Sequence, residues 1–223
     1  MNPIIFLDHD GVICLSTEWG SRFSKQKKCG RKMSQSIESL PVDARFDNLN
    51  KESVAVLNEI IEITNADIVV SSDWRFYATI EEMGDYYTLK GIIKKPISFT
   101  PNINDCTNHD NTFKWIRDFD LEQSRCLEIK QYLQDNPSVN RWVSIDDMDL
   151  SVRNILPEWG LSNFVKTNPD GIGLCEDGIK DKVLSFLTKK DTYSYKENEI
   201  CPIHLNLLNN EGLCLNCLNE NHR

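Results

Sequence analysis

Short apolar runs alternate with segments of helical periodicity along most of this chain. Four apolar runs of strand length predict buried strands, namely "PIIFL" at 3–7, "ADIVVSS" at 66–72, "RWVSIDD" at 141–147 and "NFVKT" at 163–167. Apolar residues at helical spacing predict helices at 51–64, 111–119, 124–135 with Ser124 as N-cap, and 175–190. Strands that alternate with helices predict a doubly wound α/β domain, in which helices cover both faces of a parallel sheet.

The alternation stops near residue 190, which sets the predicted domain boundaries. A chain of 223 residues with 40% apolar content can bury one good-sized core and carry a small appendage. We therefore expect a main domain over 1–190, a linker at the polar segment "DTYSYKENE" (191–199), and a separate tail over 200–223.

Charge and cysteine usage narrow the class of protein. The net charge of −9 argues against a general, charge-driven nucleic-acid binder, although a local basic patch stays possible. The sequence contains neither an apolar run near the roughly 20 residues that span a membrane nor a signal peptide at its start. Most of the eight cysteines are scattered singly, which favours reduced thiols over a disulfide framework. We expect a cytoplasmic protein without a membrane partner.

Polar side chains collect where three predicted strands end. The functional groups of open α/β sheets lie beyond the carboxyl ends of the strands. The first strand delivers Asp8 and Asp10, the second Ser71 and Ser72, and the third Asp146 and Asp147. Four carboxylates brought together repel one another, and clustered oxygen ligands suit Mg²⁺. The sequence therefore predicts a magnesium site at this edge of the sheet.

The residue types at this edge suit phosphoryl transfer. Asp8 can attack phosphorus and form an aspartyl-phosphate, and Asp10 can protonate the leaving oxygen and then accept a proton from water. Gly11 permits a sharp turn and a close approach of backbone amides to phosphate. The Ser71 hydroxyl can donate to a phosphoryl oxygen, and Arg125 can neutralise charge in the transition state.

The motifs "FLDHDGVI", "IVVSSDWR", "SRCLEI" and "WVSIDDMD" stand in the order of the four motifs of the haloacid dehalogenase (HAD) superfamily of Mg²⁺-dependent phosphohydrolases. Residues 3–188 resemble, more narrowly, the HAD phosphatase domains of multidomain RNA-repair proteins. The resemblance implies that Asp8 is the nucleophile and a metal ligand, and that Asp10 is the general acid/base and offers its backbone carbonyl to the metal. It also implies that Ser71 binds phosphate, that Arg125 takes the place usually held by Lys, and that Asp146 or Asp147 completes the metal site.

Several residues near these motifs keep two interpretations. Lys130 is a weaker candidate for the basic residue than Arg125. Trp74 is more simply explained by packing under the loop. Arg75 either forms a structural ion pair or holds a second phosphate of the substrate bidentately.

The segment "SRFSKQKKCGRK" at 21–32 contains six basic residues and no acid. It is either a solvated loop or a basic flap, in the place where HAD enzymes insert caps, that attracts an RNA or DNA end, a nucleotide or a phosphorylated cofactor. The stretch 91–105 is interpreted as a loop beside the site. Few residues are left between Ser71 and Arg125 once the predicted helices are counted, which favours a small cap. A small cap suits bulky substrates.

The tail has the spacing of a zinc site. Its pattern C-x2-H, nine residues, C-x2-C is typical of a tetrahedral structural Zn²⁺ site. The predicted ligands are Cys201, His204, Cys214 and Cys217, with His222 as a less suitable replacement for His204. The zinc would supply the folding free energy of a tail with little core, and the tail could hold a protein partner.

Two functions follow from these expectations. The first is a Mg²⁺-dependent phosphomonoesterase that acts on nucleic-acid 3′ or 5′ phosphates or on nucleotides. The second is a non-catalytic adaptor that binds a phosphorylated ligand and recruits a partner through the zinc tail.

Overall fold

The computed structural model describes residues 2–103, 121–151 and 160–188. Its centre is a parallel five-stranded sheet with the order β3-β2-β1-β4-β5. The strands are β1 (Ile4–Leu7), β2 (Asp67–Val70), β3 (Ser98–Phe99), β4 (Trp142–Asp146) and β5 (Phe164–Lys166). This sheet confirms the predicted α/β class.

Helices cover both faces of the sheet. The α-helices of the described ranges are α1 (Ser21–Lys28), α2 (Val42–Arg45), α3 (Lys51–Thr64), α4 (Ile80–Leu89), α5 (Leu121–Asp135) and α6 (Ile179–Thr188). Helix α3 begins where the Asn50 side chain accepts a hydrogen bond from the Ser53 amide, and ends at Asn65 in the left-handed conformation. Both boundaries agree with the prediction over 51–64.

Alternate residues of each central strand point to opposite faces of the sheet. Leu7 and Val70 join one buried apolar cluster, which also contains residues of α3, α4 and α6. Phe6 and Val69 join a second cluster, which contains Cys126 and neighbouring residues of α5. Helix α5 therefore covers the face opposite to the other large helices, and side chains that follow Phe6 by two residues face α5.

Four features differ from the sequence predictions. The interpretation of 91–105 as a loop missed β3, which pairs with β2 at the edge of the sheet. Ser124 lies within helix α5 (Leu121–Asp135), so it is not the N-cap of that helix. Helix α6 begins at Ile179, four residues after the predicted start, because Gly173–Cys175 forms a separate 3₁₀ turn. The basic segment contains helix α1, so a plain loop is wrong for it.

Two predictions concern residues outside the ranges that the structure describes. The helix at 111–119 and the zinc tail with its linker lie outside the described residues. Cys14, Cys29, Cys126 and Cys175 are free thiols, which confirms the prediction for these four. A search of the described helices finds none with the length and apolar character needed to cross a membrane.

Candidate active site

The parallel register continues one residue beyond the strands and brings the predicted side chains into a row. The Asp8 amide donates to the Ile145 carbonyl at 3.0 Å, and the Ser71 amide donates to the Leu7 carbonyl at 2.9 Å. Asp8 therefore lies between Ser71 and Asp146, and alternation along each strand turns all three side chains toward the α5 face. The three side chains therefore meet at the carboxyl edge of the sheet, where the sequence placed them.

Three carboxylates form a compact cluster at this edge. Asp8, Asp146 and Asp147 each offer an oxygen, and these oxygens lie within 4.8 Å of one another. Burial raises the pKa of Asp8, although the nearby Arg125 opposes the shift. Burial also raises the pKa of Asp146 well above its usual value, and the negative charge of Asp8 adds to that shift. A divalent cation would relieve this repulsion, and clustered carboxylate oxygens suit Mg²⁺.

Arg125 reaches this cluster from helix α5. Its Nη1 lies 3.1 Å from Asp8 Oδ1 and 3.1 Å from Asp146 Oδ2, and it also donates to the Ser71 carbonyl. Burial alone would lower the pKa of Arg125, but the carboxylates of Asp8 and Asp146 reverse that effect and raise it. The guanidinium therefore stays charged beside the carboxylate that is predicted to attack.

The alternative basic residue lies on another side of the same helix. Lys130 follows Arg125 by five residues, which corresponds to about 140° around a helix axis. Lys130 is buried, but the contacts of Arg125 with Asp8 and Asp146 identify Arg125 as the basic group of this cluster.

Asp10 and Gly11 lie in a tight turn beside the carboxylate cluster. The amides of Val12, Ile13 and Cys14 all donate to the His9 carbonyl. Gly11 has φ +68°, and a Cβ atom at this position would overlap the Asp147 side chain. Glycine is therefore required here both by the left-handed backbone and by the close approach of Asp147.

The Asp10 carboxyl has a separate environment. Its Oδ2 accepts a hydrogen bond from the indole Nε1 of Trp74 at 2.9 Å. Burial raises the pKa of Asp10 to about 6, and the charge of Asp8 adds to the shift. The Asp10 carboxyl therefore binds a proton more readily than an ordinary Asp, and its oxygens are not part of the group formed by Asp8, Asp146 and Asp147.

The two serines after β2 have different surroundings. Ser71 Oγ is buried and lacks a hydrogen-bond partner among the described residues. A buried hydroxyl without a partner costs free energy, so the site favours a ligand oxygen there. The Ser72 side chain forms a hydrogen bond that lowers the pKa of Asp8, and it accepts from the Trp74 amide at 3.5 Å. Ser72 therefore supports the loop and Asp8, and Ser71 has the free hydroxyl.

Arg75 forms a buried ion pair. Its Nη2 lies 2.6 Å from Glu128 Oε1, and both side chains are less than a tenth exposed. Glu128 Oε2 also lies 3.9 Å from Arg125 Nε, so one carboxylate connects two guanidinium groups. This geometry matches the structural ion pair that the sequence left open for Arg75.

Two contributors to the site were not identified from the sequence. Glu128 carries no motif signal, although its position three residues after Arg125 places both on one side of helix α5. Trp74 was interpreted as a packing residue, and its hydrogen bond to Asp10 depends on a tertiary contact that spacing does not encode. His9 points to the opposite face and contacts Tyr87, so it lies outside the carboxylate cluster.

The comparisons with known proteins agree with this geometry. Residues 4–177 match the family model described as "HAD domain in Swiss Army Knife RNA repair proteins". No curated protein and no solved structure matches the chain. The matched residues include the described strands β1 to β5 and every residue of the carboxylate cluster. The chain belongs to the family of HAD domains in Swiss Army Knife RNA repair proteins, a family of the HAD phosphatase type.

Proposed function

We propose that this protein is a Mg²⁺-dependent phosphomonoesterase that acts through a phosphoenzyme at Asp8. One observation carries the proposal: two buried carboxylates and one half-buried carboxylate lie within a cation-sized space beside a charged arginine and a serine hydroxyl without a partner. Buried hydroxyls without a partner also occur at Thr100 and Ser144, but Ser71 is the one that lies beside the carboxylates and Arg125, where a phosphate site needs a donor.

The carboxylates of Asp8, Asp146 and Asp147 would hold the cation. When bound, Mg²⁺ supplies positive charge that offsets the charges of the carboxylates and of the phosphate. Without compensation, the pKa values of all three carboxyls are raised, mainly by burial. The donor set therefore fits the ion that the resemblance implies.

The proposed reaction has two steps with balanced proton transfers. An Asp8 carboxylate oxygen attacks phosphorus, the bond to the leaving oxygen breaks, and Asp10 donates its proton to that oxygen. Asp10, now a carboxylate, then accepts a proton from the water that attacks the phosphoenzyme, which releases inorganic phosphate and restores Asp8. Ser71 Oγ binds a phosphoryl oxygen, and Arg125 stabilises charge next to Asp8.

We favour a nucleic-acid 3′ or 5′ phosphate, or a nucleotide, as substrate. Helix α1 follows the Asp10 turn and begins next to Asp47, whose Oδ1 accepts from the Arg22 amide at 2.7 Å. Lys27 and Lys28 are exposed, in a chain whose net charge is −9. Local positive charge in an acidic protein favours a polyanionic ligand, and the family description refers to RNA repair.

Hydrolysis of an aryl phosphate tests the activity. The wild-type protein should release phosphate from p-nitrophenyl phosphate with Mg²⁺ and should lose this activity in EDTA. Asp8→Asn should abolish turnover and keep the fold, whereas Asp85→Asn, an exposed change on α4, should keep activity. Phosphate binding without hydrolysis by the wild-type protein would instead favour the adaptor function.

A substrate screen tests the finer proposal. It compares 3′- and 5′-phosphorylated oligonucleotides, nucleotides, phosphopeptides and sugar phosphates at fixed Mg²⁺. The highest kcat/KM is expected for a phosphorylated oligonucleotide or nucleotide. A clear preference for phosphopeptides or sugar phosphates would contradict the proposed substrate class.

A further inference from the structure

The indole of Trp74 is attached directly to the proposed proton carrier. Its Nε1 donates to Asp10 Oδ2 at 2.9 Å, and Trp74 is only 5% exposed. An indole N–H can donate a hydrogen bond but cannot accept one. The Cys14 thiol, a weaker donor, also hydrogen-bonds to the Asp10 carboxyl. The indole contact is to Oδ2, so it distinguishes this oxygen from Oδ1.

Aromatic neighbours hold the indole on both faces. The His9 ring stacks on Trp74 with ring centroids 4.5 Å apart and planes at 7°, and the Phe46 ring stacks on the other side at 4.8 Å and 7°. His9 is itself fixed, because its Nε2 lies 2.9 Å from the Tyr87 hydroxyl. A ring packed between two parallel rings has little freedom to turn, so the direction of the N–H bond is set by the core.

Residues from separate elements build this arrangement. His9 follows β1, Phe46 ends helix α2, and Trp74 lies in the 3₁₀ turn Asp73–Tyr77 after β2. Filling an aromatic core requires no hydrogen bond to a carboxylate. The side chain of Asp10 is the one that the proposed mechanism needs in a defined orientation.

We infer that Trp74 is a positioning residue, whose N–H binds Oδ2 of Asp10 and orients the carboxyl so that Oδ1 carries and transfers the proton. The inference rests on the proposed function, because it assigns Trp74 to the first step of that reaction. In that step the Oδ1–H bond breaks, the proton moves to the leaving oxygen, and the resulting Asp10 carboxylate keeps the hydrogen bond from the indole. Trp74 acts through Asp10 in this step.

The dependence of rate on the leaving group tests this role. Protonation of the leaving oxygen matters greatly for phenyl phosphate and much less for p-nitrophenyl phosphate, because p-nitrophenolate is already a stable anion. Trp74→Phe keeps an aromatic ring in the stack and removes the N–H. The kcat/KM of this variant should fall roughly 10- to 100-fold on phenyl phosphate, and clearly less on p-nitrophenyl phosphate.

Trp142→Phe is the matched control. Trp142 is also buried, packs edge-on against Phe6, and lies at the start of β4, away from the carboxyl edge of the sheet. This variant should show the same dependence on the leaving group as the wild-type protein. An equal loss on every aryl phosphate in Trp74→Phe, or no loss, would overturn the inference. An inactive wild-type protein would instead overturn the proposed function.

A measurement on the contact itself needs neither activity nor the Trp74 variant. The protein has five tryptophans, so a ¹H–¹⁵N spectrum displays their indole N–H signals as a small set. Asp10→Ala should move one of these signals markedly upfield and speed its exchange with solvent, because the hydrogen bond to a carboxylate is lost. A spectrum in which all indole signals keep their positions would overturn the inference.

Discussion

Single residues in the turn after β1 determine how the carboxylates meet. Gly11 has φ +68°, and its α-carbon lies where a side chain would overlap Asp147. Gly91 also has a positive φ, of +83°, but nothing lies within 4 Å of a Cβ built there. Alanine substitutions at the two positions therefore distinguish the effect of backbone strain from the effect of the close approach of Asp147.

Gly11→Ala should both destabilise the fold and weaken Mg²⁺ binding. The left-handed backbone alone costs an alanine about 1–2 kcal/mol, and displacement of Asp147 adds to this and disturbs the metal site. Gly91→Ala should lose stability through the backbone effect alone. Denaturant unfolding measures the free energy, and the Mg²⁺ concentration at half-maximal turnover measures the site. A normal Mg²⁺ dependence in Gly11→Ala would show that Asp147 does not act in metal binding.

At the same scale, the sequence predicted the site residues that follow strands better than the residues that contact and orient those site residues. The sequence could predict Asp8, Ser71 and Asp146, because parallel strands end at one edge of the sheet and alternation along each strand determines which face a side chain points to. The structure brings these residues together, and their roles stay predictions. The bond from Trp74 to Asp10 was not predictable, because an apolar ring in a buried turn has the same sequence signal whether or not its N–H has a partner.

Among the elements, helix α5 is tied to the turn after β2 by Glu128. Glu128→Ala would leave the buried guanidinium of Arg75 without its partner and would remove a neighbour of Arg125. Removing one member of a buried pair costs about 3–5 kcal/mol. Asp85→Ala, which breaks an exposed pair with Lys95, should cost at most about 1 kcal/mol. Denaturant unfolding of both variants measures the difference, and equal losses would contradict a structural role for this pair.

Helix α1 is the element that distinguishes substrates in this account. The double variant Lys27→Glu, Lys28→Glu should raise the KM for a phosphorylated oligonucleotide roughly 10-fold at low salt and reduce its salt dependence. Activity on p-nitrophenyl phosphate should change little, because that substrate lacks a polynucleotide.

The matched control for this variant is Lys180→Glu, Lys182→Glu on α6, which makes the same change of charge on another helix. It should leave the KM for the oligonucleotide near the wild-type value. If both double variants raise this KM equally, net charge is the cause and α1 is not a binding surface.

Strand β3 and helix α1 were not predicted from the sequence, for a shared physical reason. Strand β3 has only two residues and follows "KKP", so it carries neither the length nor the apolar run of a strand. Helix α1 has few apolar residues, and its position is fixed by polar contacts such as the bond from Gln26 Nε2 to the Ala44 carbonyl at 3.0 Å. Periodicity detects elements that bury an apolar face, and these two do not.

For the whole molecule, the fold class followed from the sequence because buried strands and amphipathic helices alternate along the main domain. The division into a main domain, a linker and a tail remains a prediction. Purified protein should contain zinc in an equimolar amount by elemental analysis, and Cys214→Ser should lose it. Cys29→Ser, at an exposed free thiol, should retain the zinc. Absence of zinc from the wild-type protein would contradict the predicted site.

The two proposed metals should also be separable. Removal of zinc by a zinc-selective chelator should leave turnover of an aryl phosphate intact when Mg²⁺ is present, because the tail ligands and the carboxylate cluster belong to separate parts of the chain. A parallel loss of zinc and of turnover would contradict separate sites.

The central claim is a covalent phosphoenzyme at Asp8, and chemical trapping tests it most directly. Sodium borohydride reduces an acyl phosphate to an alcohol, so it converts a phosphorylated aspartate to homoserine. After reaction with substrate and Mg²⁺, mass spectrometry should find homoserine at position 8 and unchanged aspartate at position 10. Without substrate it should find aspartate at both positions. Active turnover with no homoserine at position 8, or with homoserine at another aspartate, would contradict the account.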